Sequence, residues 1–248
     1  MSPADSSPCR SPAGARYTAA RRNGHKTKAV APAGVPARVI EGYSTIFREI
    51  DAATANDGEP PPDLVFVQVG VGALAAAAAR HYRGSGRAEP ARLIGFEPEG
   101  AECLVESIAA GERVTVPGPH GSMMTGMNCG TLSLVAWPSL QQGIDAAMTL
   151  PDSQAEQAMQ LLAGVGIAAG ATGASGLGAL IELLDGPRAA EARERLSIGP
   201  DTRILILATE GATDPVAYRD VVGRSASAVR GEMENGEGGP VDFFNNAG

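Results

Sequence analysis

The sequence contains little lysine, few aromatic residues and no long apolar run. Only two of its 248 residues are lysine, Lys26 and Lys28, and aromatic side chains make up 4%. Gly or polar residues interrupt every apolar stretch well before the roughly 20 residues that span a bilayer, so no membrane partner is expected. The three cysteines, Cys9, Cys103 and Cys129, lack metal-ligand spacing and follow no apolar leader, which predicts no metal site and a reducing cytoplasmic location.

Clustered positive charge is also scarce outside the first 30 residues. That segment carries six basic side chains against Asp5 alone, which leaves a net charge of −13 on the rest of a chain whose total is −8. Nucleic-acid binding needs clustered Lys and Arg, so no nucleic-acid partner is expected. Residues 1–30 have no periodic apolar pattern, and neither have residues 223–248; we expect both segments to be disordered.

The remaining residues, 31–222, alternate between strand and helix patterns. "LVFVQV" and "ARLIGFEPE" are typical of buried strands, whereas "VIEGYSTIFREIDAA" and "AECLVESIAAG" have helical spacing, the second ending at Gly111. "PDSQAEQAMQLLAGVG" predicts a helix capped by Asp152 or Ser153. Repeated strand and helix units favour one α/β lobe, a parallel sheet with flanking helices and right-handed crossovers.

One turn in this lobe has a pattern that suits an anion. The strand Leu64–Val69 ends on Gly70-Val71-Gly72, and an alanine-rich helix follows. Unpaired backbone N–H groups and the positive end of a helix dipole meet at such a point. From spacing alone three interpretations stay open: a tightly packed structural turn, a cradle for one phosphate, or a dinucleotide site of an NAD-dependent oxidoreductase with Glu97 on the ribose.

Four further segments favour the single phosphate. "IGFEPEGAECLVESIAAG", "SMMTGMNCGTLSLVAWP", "GATGASGLGAL" and "ILILATEGATDPVAYRDVV" occur in the order and at roughly the spacing of similar words in the C-terminal half of the diaminopropionate ammonia-lyase family. With the glycine turn, the resemblance runs from about residue 34 to residue 222. It implies an incomplete fold type II, tryptophan synthase β-like architecture, in which pyridoxal 5'-phosphate lies between two α/β lobes.

The resemblance also implies roles for particular residues. Thr209 matches a position that presents a hydroxyl near the pyridine nitrogen of the cofactor. Ser122, Met123 and Thr125 match a loop that approaches the substrate side. The residues that match the loop holding the cofactor phosphate by backbone N–H groups are Gly70, Val71, Gly72, Ala73 and Leu74. The implied reaction is α,β-elimination of ammonia from a small amino acid, 2,3-diaminopropionate, to give pyruvate, and the family habit is a homodimer.

Two departures from the family pattern bear on activity. The Schiff-base lysine belongs to a segment upstream of the match, and "GHKTKAV" around Lys26 and Lys28 does not resemble it. No catalytic residue is therefore assigned. Where the family has Gly-Glu-Ser-Gly, this chain has Ala171 in place of the carboxylate. Neither His81 nor His120 has a partner at catalytic spacing. The sequence is thus compatible with a C-terminal part of a lyase or with a non-catalytic binding or regulatory module.

Overall fold

The computed structural model describes residues 9–10, 16–19, 34–84, 90–186 and 188–234. The strands are β1 (Cys9–Arg10), β2 (Arg16–Ala19), β3 (Leu64–Gln68), β4 (Arg92–Pro98), β5 (Ala146–Leu150) and β6 (Ile204–Ile206). The helices are α1 (Val35–Asn56), α2 (Ala73–Gly84), α3 (Cys103–Ala110), α4 (Trp137–Gly143), α5 (Asp152–Gly164), α6 (Ala171–Asp185), α7 (Ala189–Arg195), α8 (Pro215–Val222) and α9 (Ala226–Glu234). Within these ranges no helix is both long and apolar enough to cross a membrane.

The strands form one sheet in the order β1-β2-β5-β4-β3-β6. β3 pairs in parallel with β4 and β6, and β4 pairs in parallel with β5, whereas β2 joins β5 antiparallel. The predicted parallel sheet with flanking helices is therefore confirmed. Since the four parallel strands run the same way, the loops after their carboxyl ends meet at one edge of the sheet, where α/β proteins bind ligands.

Alternate side chains of β3 enter two separate cores. Leu64 and Phe66 pack with the side chains of α5 and α6, while Val65 and Val67 pack with those of α1 and α2. All five residues of β3 are buried. A central strand covered by helices on both faces explains why "LVFVQ" is a nearly continuous apolar run rather than an alternating one.

Small residues bring α2 close to its neighbours. Five consecutive alanines, Ala75–Ala79, are buried, and a Cβ placed on Gly143 would lie 2.4 Å from the Cβ of Ala79. The scarcity of aromatic residues noted in the sequence is thus matched by helices that approach through alanine and glycine instead of through large rings.

Both terminal segments contain ordered elements that their composition does not predict. Arg16 opens β2, is 7% exposed and pairs with the carboxylates of Glu102 and Glu106 on α3. β1 and β2 thus lie within residues 1–30, which the sequence led us to expect as disordered; pairing across the sheet and two acidic partners engage Arg16. α9 likewise lies within residues 223–248, for which disorder was expected; residues 235–248 and the remainder of residues 1–30 lie outside the described ranges.

Tertiary contacts also replace a predicted helix cap. Pro151 precedes α5, and no side chain caps this helix. The carboxylate of Asp152 instead accepts a hydrogen bond from the Ser122 hydroxyl, at 2.5 Å, and one from the Met123 N–H, at 3.1 Å. The prediction that Asp152 or Ser153 caps α5 is therefore wrong, because the loop before α4 takes up the Asp152 side chain.

Candidate functional site

The turn between β3 and α2 accepts only glycine at two of its positions. Gly72 has a φ of 91°, in the left-handed region that favours glycine, and a Cβ there would lie 2.6 Å from Cδ1 of Leu140. A Cβ on Gly70 would lie 2.9 Å from the carbonyl oxygen of Gly126. The Cα side of the turn is thus packed against protein, which fixes the path of its backbone.

Most N–H groups of this turn have no protein acceptor among the described residues. Among the described residues, no hydrogen-bond acceptor faces the N–H groups of Gly70, Gly72, Ala73 and Leu74. The first hydrogen bond of α2 runs from the N–H of Ala76 to the carbonyl of Gly72, at 2.9 Å. Donors left free at a helix N-terminus are satisfied by water or by a ligand, so this turn has the donor set that an anion requires.

Val71 differs from its neighbours because its N–H faces the Sγ atom of Cys129. Burial raises the pKa of the Cys129 thiol, and the contact with the Val71 amide lowers it in part. The Val71 side chain is 48% exposed, so solvent reaches the turn. An anion would therefore meet free donors on Gly72, Ala73 and Leu74, while the amide of Val71 is already engaged by sulfur.

The charges of α2 favour an anion at its N-terminus. The helix has 12 residues, no acidic side chain in its first turn, and His81 and Arg83 in its last turn. The macrodipole therefore retains its positive end at Gly72 and Ala73 without a carboxylate to neutralise it. A monoester phosphate fits this combination of dipole and free N–H groups.

Thr209 follows the strand that neighbours this turn. β6 pairs with β3 in parallel up to Ile206, opposite Phe66, so Thr209 and Gly70 both lie just beyond the carboxyl ends of adjacent strands. Thr209 is exposed, and its hydroxyl has no partner among the described residues. The side chain of Glu210 instead accepts the Thr213 hydroxyl at 2.6 Å. Of these residues, Thr209 is the one with a free hydroxyl.

The loop at residues 122–129 joins the turn to α6. Its Gly126 carbonyl lies against Gly70, and its Gly126 N–H lies 3.4 Å from the Thr172 hydroxyl. The Ser122 hydroxyl is held by Asp152, whereas Thr125 is exposed. The expectation that this loop approaches a substrate stays a prediction, and within it Ser122 already has a structural partner.

Glu97 occupies the N-terminus of α3 instead of an open groove. Its side chain is fully buried, and its two carboxylate oxygens accept the N–H groups of Leu104 and Val105 at 2.8 and 2.7 Å. Cys103 donates its thiol to the same carboxylate at 3.6 Å. Both carboxylate oxygens of Glu97 are thus engaged by donors of α3, which argues against the hypothesis that Glu97 binds a ribose in a dinucleotide site.

Neither histidine joins the candidate site. The ring of His81 has a partner that the sequence did not reveal, since its Nε2 lies 2.9 Å from Oδ2 of Asp51 between α2 and α1. The Nδ1 atom of His120 lies 2.7 Å from the carbonyl oxygen of Gly100. Both rings therefore have local partners, and among the described residues no three acidic, His or Cys side chains form a metal-binding group.

The start of α6 is a second helix N-terminus at the same sheet edge. Gly170 precedes it without a capping side chain, and its first turn holds no acidic residue because position 171 is alanine. Thr172 is 8% exposed and faces Gly126. The carboxylate that the resemblance places here is absent, so backbone atoms and Thr172 form this part of the edge.

Sequence reasoning missed one buried polar side chain of the site, Gln68. It ends β3, is 5% exposed and donates through Nε2 to the carbonyl oxygen of Leu207, at 2.5 Å. Its only signal in the sequence is a single polar letter at the end of the apolar run "LVFVQ". The partners are backbone carbonyls from distant elements, which no local pattern reveals.

Comparison with protein families gives one match over most of the chain. The family described as "Pyridoxal-phosphate dependent enzyme" matches residues 10–210. The match begins well before residue 34, so it includes β2, which the resemblance had left out. Residues 1–30 were expected not to match, and from residue 10 onward this expectation is wrong.

Individual relatives are similar over about half of their own length. The diaminopropionate ammonia-lyase of Salmonella typhimurium is 28% identical over 202 residues, covering 77% of this chain and 50% of that protein. The Escherichia coli K12 protein of the same name is 30% identical over 200 residues, covering 79% and 50%. The chain therefore spans about half the length of the curated relatives it matches.

Solved structures show the same similarity in three dimensions. Diaminopropionate ammonia lyase from Escherichia coli, in complex with an aminoacrylate-PLP azomethine reaction intermediate, superimposes with a TM-score of 0.67 at 28% identity, over 75% of this chain and 48% of that one. A threonine deaminase from T.th. gives a TM-score of 0.59 at 25% identity, over 71% and 58%.

Proposed function

Because the chain belongs to the family of pyridoxal-phosphate-dependent enzymes and has a fold type II architecture, we propose that it forms the cofactor-binding half of an ammonia-lyase of the diaminopropionate type. The proposed reaction removes ammonia from 2,3-diaminopropionate by α,β-elimination, and hydrolysis of the released enamine gives pyruvate and a second ammonia. The observation that carries the proposal is the free N–H turn at Gly72–Leu74, inside the segment that the family match covers.

In this proposal the turn holds the phosphate group. The N–H groups of Gly72, Ala73 and Leu74 donate to phosphate oxygens, and the dipole of α2 adds a favourable charge interaction. Gly70 contributes its small size, because a side chain there would collide with the Gly126 carbonyl. One such cradle suffices for a monoester phosphate, whereas a dinucleotide would also need an acceptor for the ribose that Glu97 does not supply.

Thr209 would serve the other end of the ligand. When bound, pyridoxal phosphate supplies an electron sink for the carbon at which the substrate loses its proton. The Thr209 hydroxyl is exposed and unpartnered among the described residues, and it follows the strand next to the cradle. A neutral hydroxyl can share a hydrogen bond with a ring nitrogen but does not hold that nitrogen in its charged form as a carboxylate would.

The described ranges supply no group that could move the substrate proton as an amine. They contain no lysine, since Lys26 and Lys28 lie outside them. Glu97 and Cys103, the strongly perturbed titratable groups near the cradle, are buried and bonded to each other. The amine required for turnover therefore has to come from polypeptide outside the described residues, and this chain's part is to bind and orient.

The substitution Ala73→Pro should weaken binding of both inorganic phosphate and pyridoxal phosphate by about tenfold, because it removes one charge-assisted donor from the cradle. Ala73 is the first residue of α2, a position where proline is tolerated in a helix. Isothermal titration or equilibrium dialysis of the whole chain measures both dissociation constants.

The matched control is Ala226→Pro, the same change at the first residue of α9, where the N–H likewise has no partner among the described residues. It should leave both dissociation constants unchanged. Equal affinities of the Ala73→Pro variant and the unsubstituted chain would contradict the cradle, and so would failure of the unsubstituted chain to bind either anion.

The second candidate function is a non-catalytic binding module, which the absence of lysine from the described ranges favours. A separate experiment therefore measures activity. Mixed with the lysine-bearing N-terminal half of the Escherichia coli enzyme and pyridoxal phosphate, this chain should release pyruvate from 2,3-diaminopropionate. Lactate dehydrogenase and NADH report the pyruvate continuously. The Ala73→Pro chain in the same mixture should release about tenfold less at limiting cofactor.

The two candidates predict opposite results in this mixture. A lyase half yields pyruvate at a rate above the sum of the separate halves. A binding or regulatory module yields none, even when gel filtration shows that the two halves associate. Association without pyruvate would therefore reject the lyase proposal for this chain and leave the cofactor-binding part of it standing.

A further inference from the structure

Gln68 is the buried polar side chain that lies closest along the chain to the cradle. It precedes Gly70 by two residues and points into the face of the sheet that α6 covers, as Phe66 does. Its side chain is only 5% exposed. Burying a side-chain amide lowers the stability of the fold unless its polar atoms form hydrogen bonds, so the partners of Gln68 are informative.

The two hydrogen bonds of Gln68 reach two separate elements. Its Nε2 donates to the carbonyl oxygen of Leu207 at 2.5 Å and to that of Thr172 at 3.4 Å. The amide orientation follows from chemistry, because only the NH₂ group can face two carbonyl oxygens. The Oε1 atom is buried and has no partner among the described residues.

Each of the two residues whose carbonyl groups Gln68 binds is connected to another part of the candidate site. Leu207 precedes Thr209 by two residues, as Gln68 precedes Gly70. Thr172 lies in the first turn of α6 and its hydroxyl faces Gly126, which in turn packs on Gly70. β6 is paired with β3 only up to Ile206. Beyond Ile206, the hydrogen bond that joins the two strand ends among the described residues is the one from the Gln68 side chain to Leu207.

We infer that Gln68 is a positioning residue that sets the separation between the phosphate cradle and Thr209. The inference rests on the proposed function, in which these two points hold opposite ends of one rigid ligand. A ligand held at both ends gains affinity only when the two contacts are at the correct distance, since any adjustment on binding lowers the affinity. A ligand held at the cradle alone does not depend on that distance.

The substitution Gln68→Met tests this difference, because methionine has a similar length and cannot donate to Leu207 or Thr172. Binding of two probes is measured with the whole chain: inorganic phosphate, which needs only the cradle, and pyridoxal phosphate, which needs both ends. The expected result is a loss of about tenfold in affinity for pyridoxal phosphate with unchanged affinity for inorganic phosphate. A general loss of structure would weaken both probes together.

Gln160→Met is the matched control, because Gln160 donates to the Val221 carbonyl at 3.0 Å on an exposed surface of α5. It should leave both affinities unchanged. Gln68→Leu is a second variant in case the methionine chain folds poorly: leucine likewise cannot donate to the Leu207 or Thr172 carbonyl, and the same selective loss is expected.

The outcomes separate the inference from the function on which it rests. Equal losses for both probes, or no loss for either, would overturn the positioning role of Gln68 while the cradle stands. Failure of the unsubstituted chain to bind pyridoxal phosphate would overturn the proposed function and the inference with it. A selective loss in both Gln68 variants, absent from Gln160→Met, supports the inference.

Discussion

The substitution Gly173→Ala is expected to lower the free energy of unfolding by about 3 kcal/mol, since overpacking against a fixed backbone allows little relief. A Cβ at position 173 would lie 2.0 Å from the carbonyl oxygen of Glu210 and 3.0 Å from its carbonyl carbon. That carbonyl also accepts the N–H of Gly170 at 3.1 Å, so it cannot move without breaking another bond. Displacing Glu210 would also move Thr209, and pyridoxal phosphate affinity should fall with stability.

Gly42→Ala provides the control, because Gly42 lies inside helix α1 and a Cβ there would meet no atom within 4 Å. The same chemical change should raise stability by roughly 0.5–1 kcal/mol, since alanine loses less backbone entropy than glycine in a helix. Urea denaturation followed by circular dichroism measures both. Similar changes for the two variants would show that the close approach of α6 to Glu210 does not constrain this helix.

The second large effect is a dependence of stability on pH through Glu97. Burial raises the pKa of Glu97 to about 8, although the N–H groups of Leu104 and Val105 and the thiol of Cys103 lower it in part. In the unfolded chain the carboxyl has its ordinary pKa of 4.5. Between these values the folded protein holds a proton that the unfolded chain has released. The stabilisation is fully present below about pH 4.5 and is lost as the pH rises through about 8.

Each pKa unit corresponds to about 1.4 kcal/mol, so the free energy of unfolding should fall by about 4 kcal/mol across this range. Urea denaturation at several pH values from about 5 to about 8 tests this. Glu97→Gln should remove this dependence of the free energy of unfolding on pH. It should also lower that free energy at acidic pH, because glutamine has one acceptor oxygen for the two N–H groups that Glu97 accepts with two. Glu156→Gln, which removes an exposed carboxylate, should leave the slope unchanged, and a stability that rises with pH would contradict the expectation for Glu97.

Local patterns in the sequence were sufficient for the parallel sheet and its main helices. The apolar run that became β3 and the Gly111 that ends α3 with a φ of 75° both act within a few residues, so they can be recognised without the rest of the chain. Long-range partners were not recognisable. From the sequence, Arg16 belonged to a segment predicted to be disordered, and Asp152 was predicted to cap a helix. In the structure Arg16 pairs with two carboxylates of α3, and the Asp152 carboxylate accepts the Ser122 hydroxyl.

The candidate site divides in the same way. The glycine turn at Gly70–Leu74 could be proposed from sequence because glycine and a following helix imply free N–H groups wherever they occur together. Whether those groups were free depended on contacts made elsewhere, and the structure shows that Val71 alone faces a side-chain acceptor, the sulfur of Cys129. Gln68 could not be recognised, because the carbonyl groups it binds are brought to it by β6 and α6.

The outermost parallel strand has a consequence for behaviour at high concentration. Among the described residues β6 lies at one end of the sheet, and it comprises only Ile204–Ile206, so it offers few unpaired backbone groups to a neighbouring molecule. Arg203 enters this strand with its guanidinium on the Asp63 carboxylate, at 2.8 Å, which places two exposed charges beside the open edge. Short length and flanking charge are devices that prevent edge-to-edge association of sheets. This border of the lobe is therefore protected from fibril-like stacking by its own geometry.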